Sequence, residues 1–268
     1  MKTKSPYLVD PDQRVRLSRV SAGEHGDFKD AEQAEPVLAR YLERLGTMQE
    51  VLYAGEQRAV LIVLQGMDTA GKDGTIRHIF SGINPQGCDV TSFKVPTGLE
   101  ARHDFLWRVH NAVPPRGMIG IFNRSHYEDV LSPRVHKVIS RKVARERMAE
   151  INRFEELLYE NGVVILKFFL HISKKEQDER LRERIDDPDK HWKLSEADFH
   201  ERRFWPAYQE AYEELLNETS RGHAPWYVIP SNRKWYRNVA ISKILVEAVE
   251  SLRLKYPKGS YDAKTMTL

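Results

Sequence analysis

The chain has 268 residues, with 42 Lys or Arg against 39 Asp or Glu and a formal net charge of +3. This length fits one α/β domain, or one domain with an inserted lid. Hydrophobic residues make up 41% and charged residues 30%, as in ordinary soluble globular proteins. No apolar run approaches the roughly 20 residues of a membrane span. The net charge is small, and no basic stripe with interleaved aromatics stands out, so the sequence does not favour binding to nucleic acid. We therefore expect neither a membrane nor a nucleic-acid partner.

The first residues carry lysines with no apolar stretch behind them, so they do not resemble a secretory signal. Cys88 is the only cysteine, which excludes a disulfide within the chain. A reducing cytoplasm is the simplest location consistent with both observations. Prolines and glycines interrupt any long element near the start, so residues 1–29 are predicted to be an irregular segment of a single domain, 1–268.

Strand and helix patterns alternate along the rest of the chain. A helix is predicted over 30–53, and the continuous apolar run 59–64 predicts a strand buried on both faces. Further strands are predicted at 90–93, 118–122, 163–170 and 226–229, and further helices at 72–81, 99–112, 140–160, 195–217 and 235–254. The alternation favours a parallel sheet with helices on both faces. Such sheets bind ligands at the carboxyl ends of their strands.

A glycine-rich stretch, GMDTAGKDGT, follows the first buried strand. In it, Gly66, Gly71 and Lys72 match the G-x-x-x-x-G-K spacing of a phosphate loop. Glycines let backbone N–H groups approach phosphate oxygens, the next helix presents its positive end, and the lysine adds a flexible charge. The predicted order of strand, loop and helix is the context that the motif requires. The other predicted phosphate contacts of this loop are Ala70, Asp73, Gly74 and Thr75.

The position after the lysine departs from the motif, because Asp73 replaces the Ser or Thr whose hydroxyl contacts Mg²⁺. A carboxylate in the first turn of a helix favours the macrodipole, so a structural role for Asp73 stays open. Asp68, inside the loop, is then the better candidate to hold Mg²⁺, which one or two carboxylates and phosphate oxygens commonly bind. The alternative for Asp68 is a turn residue that bonds its own backbone.

A second charged cluster, NRSHYED, begins at Asn123, directly after a predicted strand. Arg124 suits a phosphate, because its planar guanidinium can bind two oxygens, and Arg134 follows shortly after. A typical nucleotide kinase has a metal-binding aspartate at the end of this strand. This chain has Asn123 there, with the carboxylates Glu128 and Asp129 five and six residues further on. The alternative is an exposed, salt-bridged helix start.

A third cluster follows the fourth predicted strand. Arg180 and Arg184 are four residues apart and share a helix face, and Lys190 and Lys193 lie in the polar loop after them. Basic and acidic residues balance here, so charge alone favours a solvated helix with ion pairs. The place in the chain favours instead a lid at about 178–205, which would bring arginines to the transferred phosphate and exclude water.

Together these clusters resemble the polyphosphate kinase 2 family. The matching stretches are GMDTAGKDGT (66–75), FNRSHYEDVL (122–131), RLRERIDDPDKHWK (180–193) and PWYVIPSNRKWYRN (225–238). The form FNRSHYED is similar to the subgroup called class III, because other classes typically have Asp and Asn where this chain has Asn123 and Glu128. The resemblance implies a P-loop kinase fold, a three-layer α/β/α sandwich with a parallel sheet, like thymidylate kinase, and a helical lid.

The resemblance also implies an activity. It is Mg²⁺-dependent phosphoryl transfer between inorganic polyphosphate and nucleotides, taking AMP to ADP and ADP to ATP, in a homo-oligomer that is a tetramer or a dimer. Asp68, Lys72 and Arg124 would be catalytic, with Asp68 and Glu128 on the metal. The residues implied to bind polyphosphate are Arg134, Arg180, Arg184, Lys190 and Lys193. A nucleotide pocket between the loop and residues 80–110 is predicted to involve Asn84, Phe93, Lys94, Arg108, His110 and Asp129.

Two other functions remain open from the sequence. An ATP-dependent nucleoside or nucleotide kinase would use the same loop and lid with ATP as the donor. A non-catalytic nucleotide-binding module or GTPase-like switch would bind without transfer, although the N-K-x-D motif that GTPases use to read the base is absent. Phe93 could stack on a base, but core packing is the alternative for this ring. His110 and His126 have no second His or Cys at ligand spacing, so structural roles are expected for both.

Overall fold

The computed structural model describes residues 5–259, apart from the side chains of 197 and 198. Residues 1–4 of the predicted irregular segment, and 260–268 of the predicted domain, lie outside the described residues. The strands are β1 (Ala59–Gln65), β2 (Cys88–Ser92), β3 (Ile119–Asn123), β4 (Val163–His171) and β5 (Trp226–Pro230). All pair in parallel in the order β2-β3-β1-β4-β5, which confirms the predicted parallel α/β sheet.

Helices cover both faces of this sheet. Their bounds are α1 (Ala31–Gly55), α2 (Lys72–Phe80), α3 (Trp107–His110), α4 (Glu128–Val135), α5 (Arg141–Glu160), α6 (Lys174–Asp186), α7 (Glu196–Glu201), α8 (Trp205–Thr219) and α9 (Lys234–Glu250). One layer contains α1, α2 and α9, and the other contains α4, α5 and α8. Right-handed connections explain the division, because the chain leaves β1 and β3 in opposite directions across the sheet. None of the helices among residues 5–259 has the length and apolarity to cross a membrane.

Two of the predicted helices are wrong in extent. The region 99–112 contains only a 3₁₀ turn at Glu100–Arg102 and the single turn of α3. Asp104 separates them, because its carboxylate accepts the backbone N–H of Leu106 and starts a new turn. The region 195–217 is divided into α7, a 3₁₀ turn and α8, whose first turn contains a proline. A proline fits the start of a helix better than its interior.

The N-terminal strap, defined here as residues 7–23, closes one edge of the sheet. Val9 donates its N–H to Trp226 O at 2.9 Å, and Val228 donates to Tyr7 O at 2.9 Å, so the strap pairs with β5. Further along, the Asn232 N–H donates to Ala22 O at 3.0 Å. Apart from the 3₁₀ turn Leu17–Arg19, residues 7–23 form no helix or strand. It covers backbone groups that the edge strand would otherwise expose.

Candidate active site

The site lies where the carboxyl ends of β1 and β3 meet. Leu64 of β1 is paired with Asn123 of β3, so the glycine loop after β1 and the segment after β3 are adjacent. The two connections then turn to opposite faces of the sheet. Such a divergence opens a crevice at the strand ends, which is the usual ligand position in parallel sheets.

Two glycines of the loop are required by its geometry. Gly66 has φ +155°, and a Cβ there would lie 2.8 Å from Leu170 O. Gly71 has φ +101°, and a Cβ there would overlap the Arg237 guanidinium. Any other residue would therefore strain the backbone and collide with its neighbours. Thr69 also adopts a left-handed conformation, with φ +64°, which is uncommon outside glycine and typical of functional loops.

Lys72 begins α2 and folds back over the loop that precedes it. Its Nζ donates to Gly66 O at 2.8 Å and approaches Met67 O at 3.5 Å. Burial and the neighbouring Arg124 guanidinium lower the pKa of Lys72, although Asp68 opposes the shift. A bound phosphate would add the missing negative charge and stabilise the ammonium form.

Arg124 lies between the two carboxylates that were predicted to hold a metal. Its Nη2 donates to Asp68 Oδ1 at 3.0 Å, and its Nη1 lies 3.7 Å from Glu128 Oε2. Burial raises the pKa of Glu128, with Arg124 and Lys72 opposing the shift. The Arg124 backbone is left-handed, with φ +63°. The structure therefore brings these three predicted residues together, with the guanidinium as the common partner of the two carboxylates.

The two departures from the usual kinase pattern compensate each other. Asn123 Nδ2 donates to Asp73 Oδ1 at 2.7 Å, which joins the end of β3 to the first turn of α2. An aspartate at position 123 would place a second carboxylate against Asp73 and repel it. An amide on one side and a carboxylate on the other form a hydrogen bond instead. This contact is a structural role for Asp73.

The main cavity, of about 680 Å³, runs from the end of β2 past the glycine loop to the lid. Ten Lys or Arg residues line it, against three Asp or Glu residues. Such an excess of positive charge attracts and holds polyanions. The ten basic residues are Lys72, Arg77, Lys94, Arg124, Arg180, Arg184, Lys190, Lys193, Lys234 and Arg237.

Arg180 of α6 holds the glycine loop in place. Its guanidinium donates to Thr69 O at 2.8 Å, to Ala70 O at 3.0 Å and to Ser231 O at 2.5 Å. Its Nε donates to Glu176 at 2.7 Å, so these donors already have protein acceptors. Arg180 lines the main cavity, but its contacts indicate that it stabilises the glycine loop more than it binds polyphosphate directly.

Arg237 of α9 is a site residue whose role the sequence analysis missed. It is 2% exposed, and its Nη1 lies 3.4 Å from Ala70 O. Burial and the adjacent Arg180 lower the pKa of Arg237 to about 9. Its hydrogen-bond partners among residues 5–259 are a carbonyl and the Asn238 side chain, with no carboxylate among them. A buried cation without a counter-charge, beside a phosphate loop, favours an anionic ligand.

The other basic residues of the predicted lid also line the main cavity. Lys190 pairs with Asp187 at 2.8 Å, and Arg184 Nη1 approaches Lys193 O at 3.4 Å. The Lys193 ammonium lies 4.8 Å from the ring centre of Trp192, whose side chain is largely exposed. Arg77, His78 and Lys234 also line this cavity and were not predicted. Their only signal in the sequence is their place on helices that follow a strand and its loop.

Three predicted site residues outside the glycine loop line neither the main cavity nor the two other cavities described below. Arg134 pairs with Glu214 at 2.6 Å and Glu210 at 3.3 Å, so acidic side chains of α8 occupy it where a phosphate was expected. Asn84 accepts the Gln86 N–H at the amino end of β2, which is the opposite edge of the sheet. His110 is exposed and packs edge-on against a phenylalanine of α5. The structure does not support their predicted roles.

The other predicted nucleotide contacts divide between two cavities. Phe93 and Lys94 line the main cavity, but Phe93 is buried between Phe122, at 4.8 Å between ring centres, and the Arg108 guanidinium. Core packing is therefore the better interpretation of this ring. Arg108 pairs with Asp129 at 2.9 Å, and both line a separate side cavity of about 610 Å³.

A small cavity of about 190 Å³ lies on the other side of the Asp68–Arg124 pair. Asp68, Glu128 and Gln177 line it, and Gln177 Oε1 is buried without a hydrogen-bond partner. Residues 5–259 contain no group of three or more His, Cys, Asp or Glu side chains placed to hold a metal. Mg²⁺ commonly takes only one or two carboxylates and completes its shell with water and phosphate. The donor set therefore fits Mg²⁺ bound together with a phosphate.

A parallel sheet whose glycine loop, lysine and lid arginines converge on one basic cavity defines a P-loop phosphotransferase. The family model described as Polyphosphate kinase 2 (PPK2) matches residues 28–257. The chain therefore belongs to the polyphosphate kinase 2 family, as its resemblance predicted.

Two similar proteins and one solved structure match almost the whole length of the chain. The AMP/ADP-polyphosphate phosphotransferase of Meiothermus ruber is 51% identical over 253 residues, which are 94% of this chain and 95% of that protein. The ADP-polyphosphate phosphotransferase of Rhodopseudomonas palustris is 43% identical over 270 residues, 96% of this chain and 93% of that protein. The crystal structure of Polyphosphate Kinase 2 from Arthrobacter aurescens TC1 superposes with a TM-score of 0.90 at 41% identity, covering 96% and 95% of the two chains.

Proposed function

We propose that this enzyme transfers phosphoryl groups between inorganic polyphosphate and adenine nucleotides, phosphorylating AMP to ADP and ADP to ATP. The observation that carries the proposal is the main cavity, whose ten basic residues outnumber three acidic ones. A chain of phosphates has negative charge along its whole length and needs cations along its whole track, which this cavity offers. The name of the Meiothermus ruber relative, with both AMP and ADP, supports the class III assignment.

The proposed reaction depends on position and charge more than on covalent help from the protein. Lys72 and Arg124 both lie close to Asp68 at the strand ends, where they would neutralise the phosphoryl group in transfer. The attacking oxygen of AMP or ADP is already anionic, so no general base is required. Asp68 and Glu128 would hold Mg²⁺, which supplies further charge neutralisation to phosphate oxygens when bound.

Asp68 and Arg124 line both the main cavity and the small cavity. We place the transfer at this shared wall, with polyphosphate along the main cavity beneath the lid. The nucleotide pocket between the loop and residues 80–110 stays a prediction that Lys94 supports and that Asn84 does not. The homo-oligomeric state and the cytoplasmic location stay predictions as well. Light scattering of the purified protein tests the first of these.

A donor comparison tests the proposed function. The purified enzyme is incubated with Mg²⁺ and AMP, with either polyphosphate or ATP as the donor, and nucleotides are quantified over time. With polyphosphate as the donor, we expect ADP to appear first and ATP later. The Lys72→Ala variant is the matched control and is expected to be inactive. Transfer from ATP alone would favour an ordinary nucleotide kinase, and tight binding without transfer would favour a non-catalytic module.

A further inference from the structure

A fully buried ion pair lies beneath the site and has no part in the proposed reaction. Lys167 stands in the middle of β4, and its Nζ lies 2.5 Å from Glu155 Oε2 on α5, with both side chains 0% exposed. Burial lowers the pKa of Lys167 to about 8 even with Glu155 beside it. Apolar residues of similar volume would avoid this desolvation cost and are often at least as stable. Stability alone therefore does not explain the pair.

The hydrogen bonds of the pair lead towards the active site. Lys167 donates to Glu155, to the Tyr127 hydroxyl at 2.8 Å and to Thr219 O at 2.8 Å, which uses all three of its protons. Glu155 Oε1 accepts the Tyr127 hydroxyl at 2.8 Å and His126 Nε2 at 3.1 Å. The ion pair thus anchors two consecutive residues of the chain.

Those two residues stand between Arg124 and Glu128. The left-handed backbone of Arg124, with φ +63°, is strained for a residue with a side chain and persists only where its surroundings hold it. From the sheet side, Gln65 Nε2 donates to Ser125 Oγ at 3.2 Å. From below, the buried pair holds the next two side chains. The turn 124–128 is thus held on both sides.

We propose that Lys167, acting through Glu155 and Tyr127, is a positioning residue that fixes the turn 124–128 and so sets the Arg124 guanidinium against Asp68. The inference rests on the proposed role of Arg124 in phosphoryl transfer. A displacement of about 1 Å at a reacting group costs roughly a hundredfold in rate. The network therefore acts on turnover, while the rest of the main cavity still binds the phosphate chain.

The test is the double variant Lys167→Met/Glu155→Gln, which removes both charges at nearly constant volume and leaves no buried charge unpaired. We expect a Tm equal to or above that of the wild type, a kcat at least about tenfold lower, and KM values for polyphosphate and AMP within about threefold. Tyr127→Phe removes only the connecting hydroxyl and is expected to lower kcat by a smaller factor. It also serves if the double variant does not fold.

Two controls separate positioning from a general loss of stability. Leu245→Ala, a buried change on α9 in the other helical layer, is expected to lower Tm and leave kcat unchanged. In an Arg124→Lys background, the double change should lower kcat by less than about threefold, because residues that act as a unit do not contribute independently. Wild-type kcat in both network variants, or the full loss repeated in the Arg124→Lys background, would overturn the inference.

The readout also keeps the two proposals apart. The kcat of each variant is expressed relative to the kcat of the wild type, measured with whichever donor the wild type uses. A wild type that uses ATP in place of polyphosphate contradicts the proposed function and leaves the ratio measurable. An unchanged ratio contradicts the positioning role alone.

Discussion

Gly71→Ala is the sharpest test of the loop geometry. The glycine has φ +101° and ψ 28°, and an added Cβ would collide with the Arg237 guanidinium. A side chain in the left-handed region costs about 1–2 kcal/mol. Moving Arg237 also weakens its buried hydrogen bonds to Ala70 O and Asn238, each worth about 1 kcal/mol. We therefore expect the free energy of unfolding to fall by about 2–4 kcal/mol.

The effect on catalysis should exceed the effect on stability. Displacing the loop by about 1 Å misplaces the phosphate contacts and is expected to lower kcat/KM roughly a hundredfold. Urea unfolding and polyphosphate-dependent ADP formation measure the two effects on the same preparation. The matched control is Gly46→Ala within α1, where the new methyl meets only Gly82 O, at 3.7 Å. This control should raise stability by about 0.5–1 kcal/mol and leave the rate unchanged.

One outcome would contradict the proposed strain at Gly71. If Gly71→Ala unfolds within about 1 kcal/mol of the wild type and turns over within about threefold, then neither the strain nor the collision with Arg237 is real. Equal losses in Gly71→Ala and Gly46→Ala would instead point to a general sensitivity of the fold to added methyl groups.

Three further predictions concern the charged groups. Lys72→Ala and Asp68→Asn should each lower phosphoryl transfer at least about a thousandfold with the circular dichroism spectrum unchanged, and near-normal rates would contradict the mechanism. Burial raises the pKa of Glu128 above its ordinary value of 4.5. The protonated carboxyl therefore stabilises the fold below pH 4.5, and this stabilisation is lost as the pH rises through the raised pKa. Glu128→Gln should therefore be inactive yet show a higher Tm than the wild type at neutral pH, with a difference that vanishes in acid; a constant difference would exclude this cause. Arg237→Met should raise the KM for polyphosphate about tenfold or more while the KM for AMP stays within about twofold, and the reverse pattern would contradict its place on the polyphosphate track.

The sequence predicts the local parts of this molecule well. The run 59–64 and the glycine spacing after it are short-range signals, because a buried strand and a phosphate loop depend on neighbouring residues. Arg124 and Glu128 could be placed near the loop because carboxyl ends of parallel strands share an edge. The same rule, applied to Asn84, would have excluded it, since this residue precedes β2 and lies at the amino edge.

The contacts that sequence cannot predict are those between distant segments. Arg134 forms an ion pair with Glu214, which lies eighty positions further along the chain, and no short motif connects the two residues. Arg180 has the expected position, but its carbonyl partners come from the glycine loop and from the loop after β5. The compensation between Asp73 and Asn123 is likewise visible only once β3 lies beside α2.

The N-terminal strap is connected to the glycine loop through a short series of hydrogen bonds. Ala22 O accepts the Asn232 N–H, and the carbonyls of that same loop accept the Arg180 guanidinium, which in turn holds the glycine loop. Trimming irregular ends is a common way to obtain a better-behaved protein. Here, deleting residues 5–23 would remove the outer anchor of the phosphate loop, although no deleted residue lines the main cavity. Shortened or N-terminally fused versions of this enzyme should therefore be judged by turnover as well as by yield and solubility.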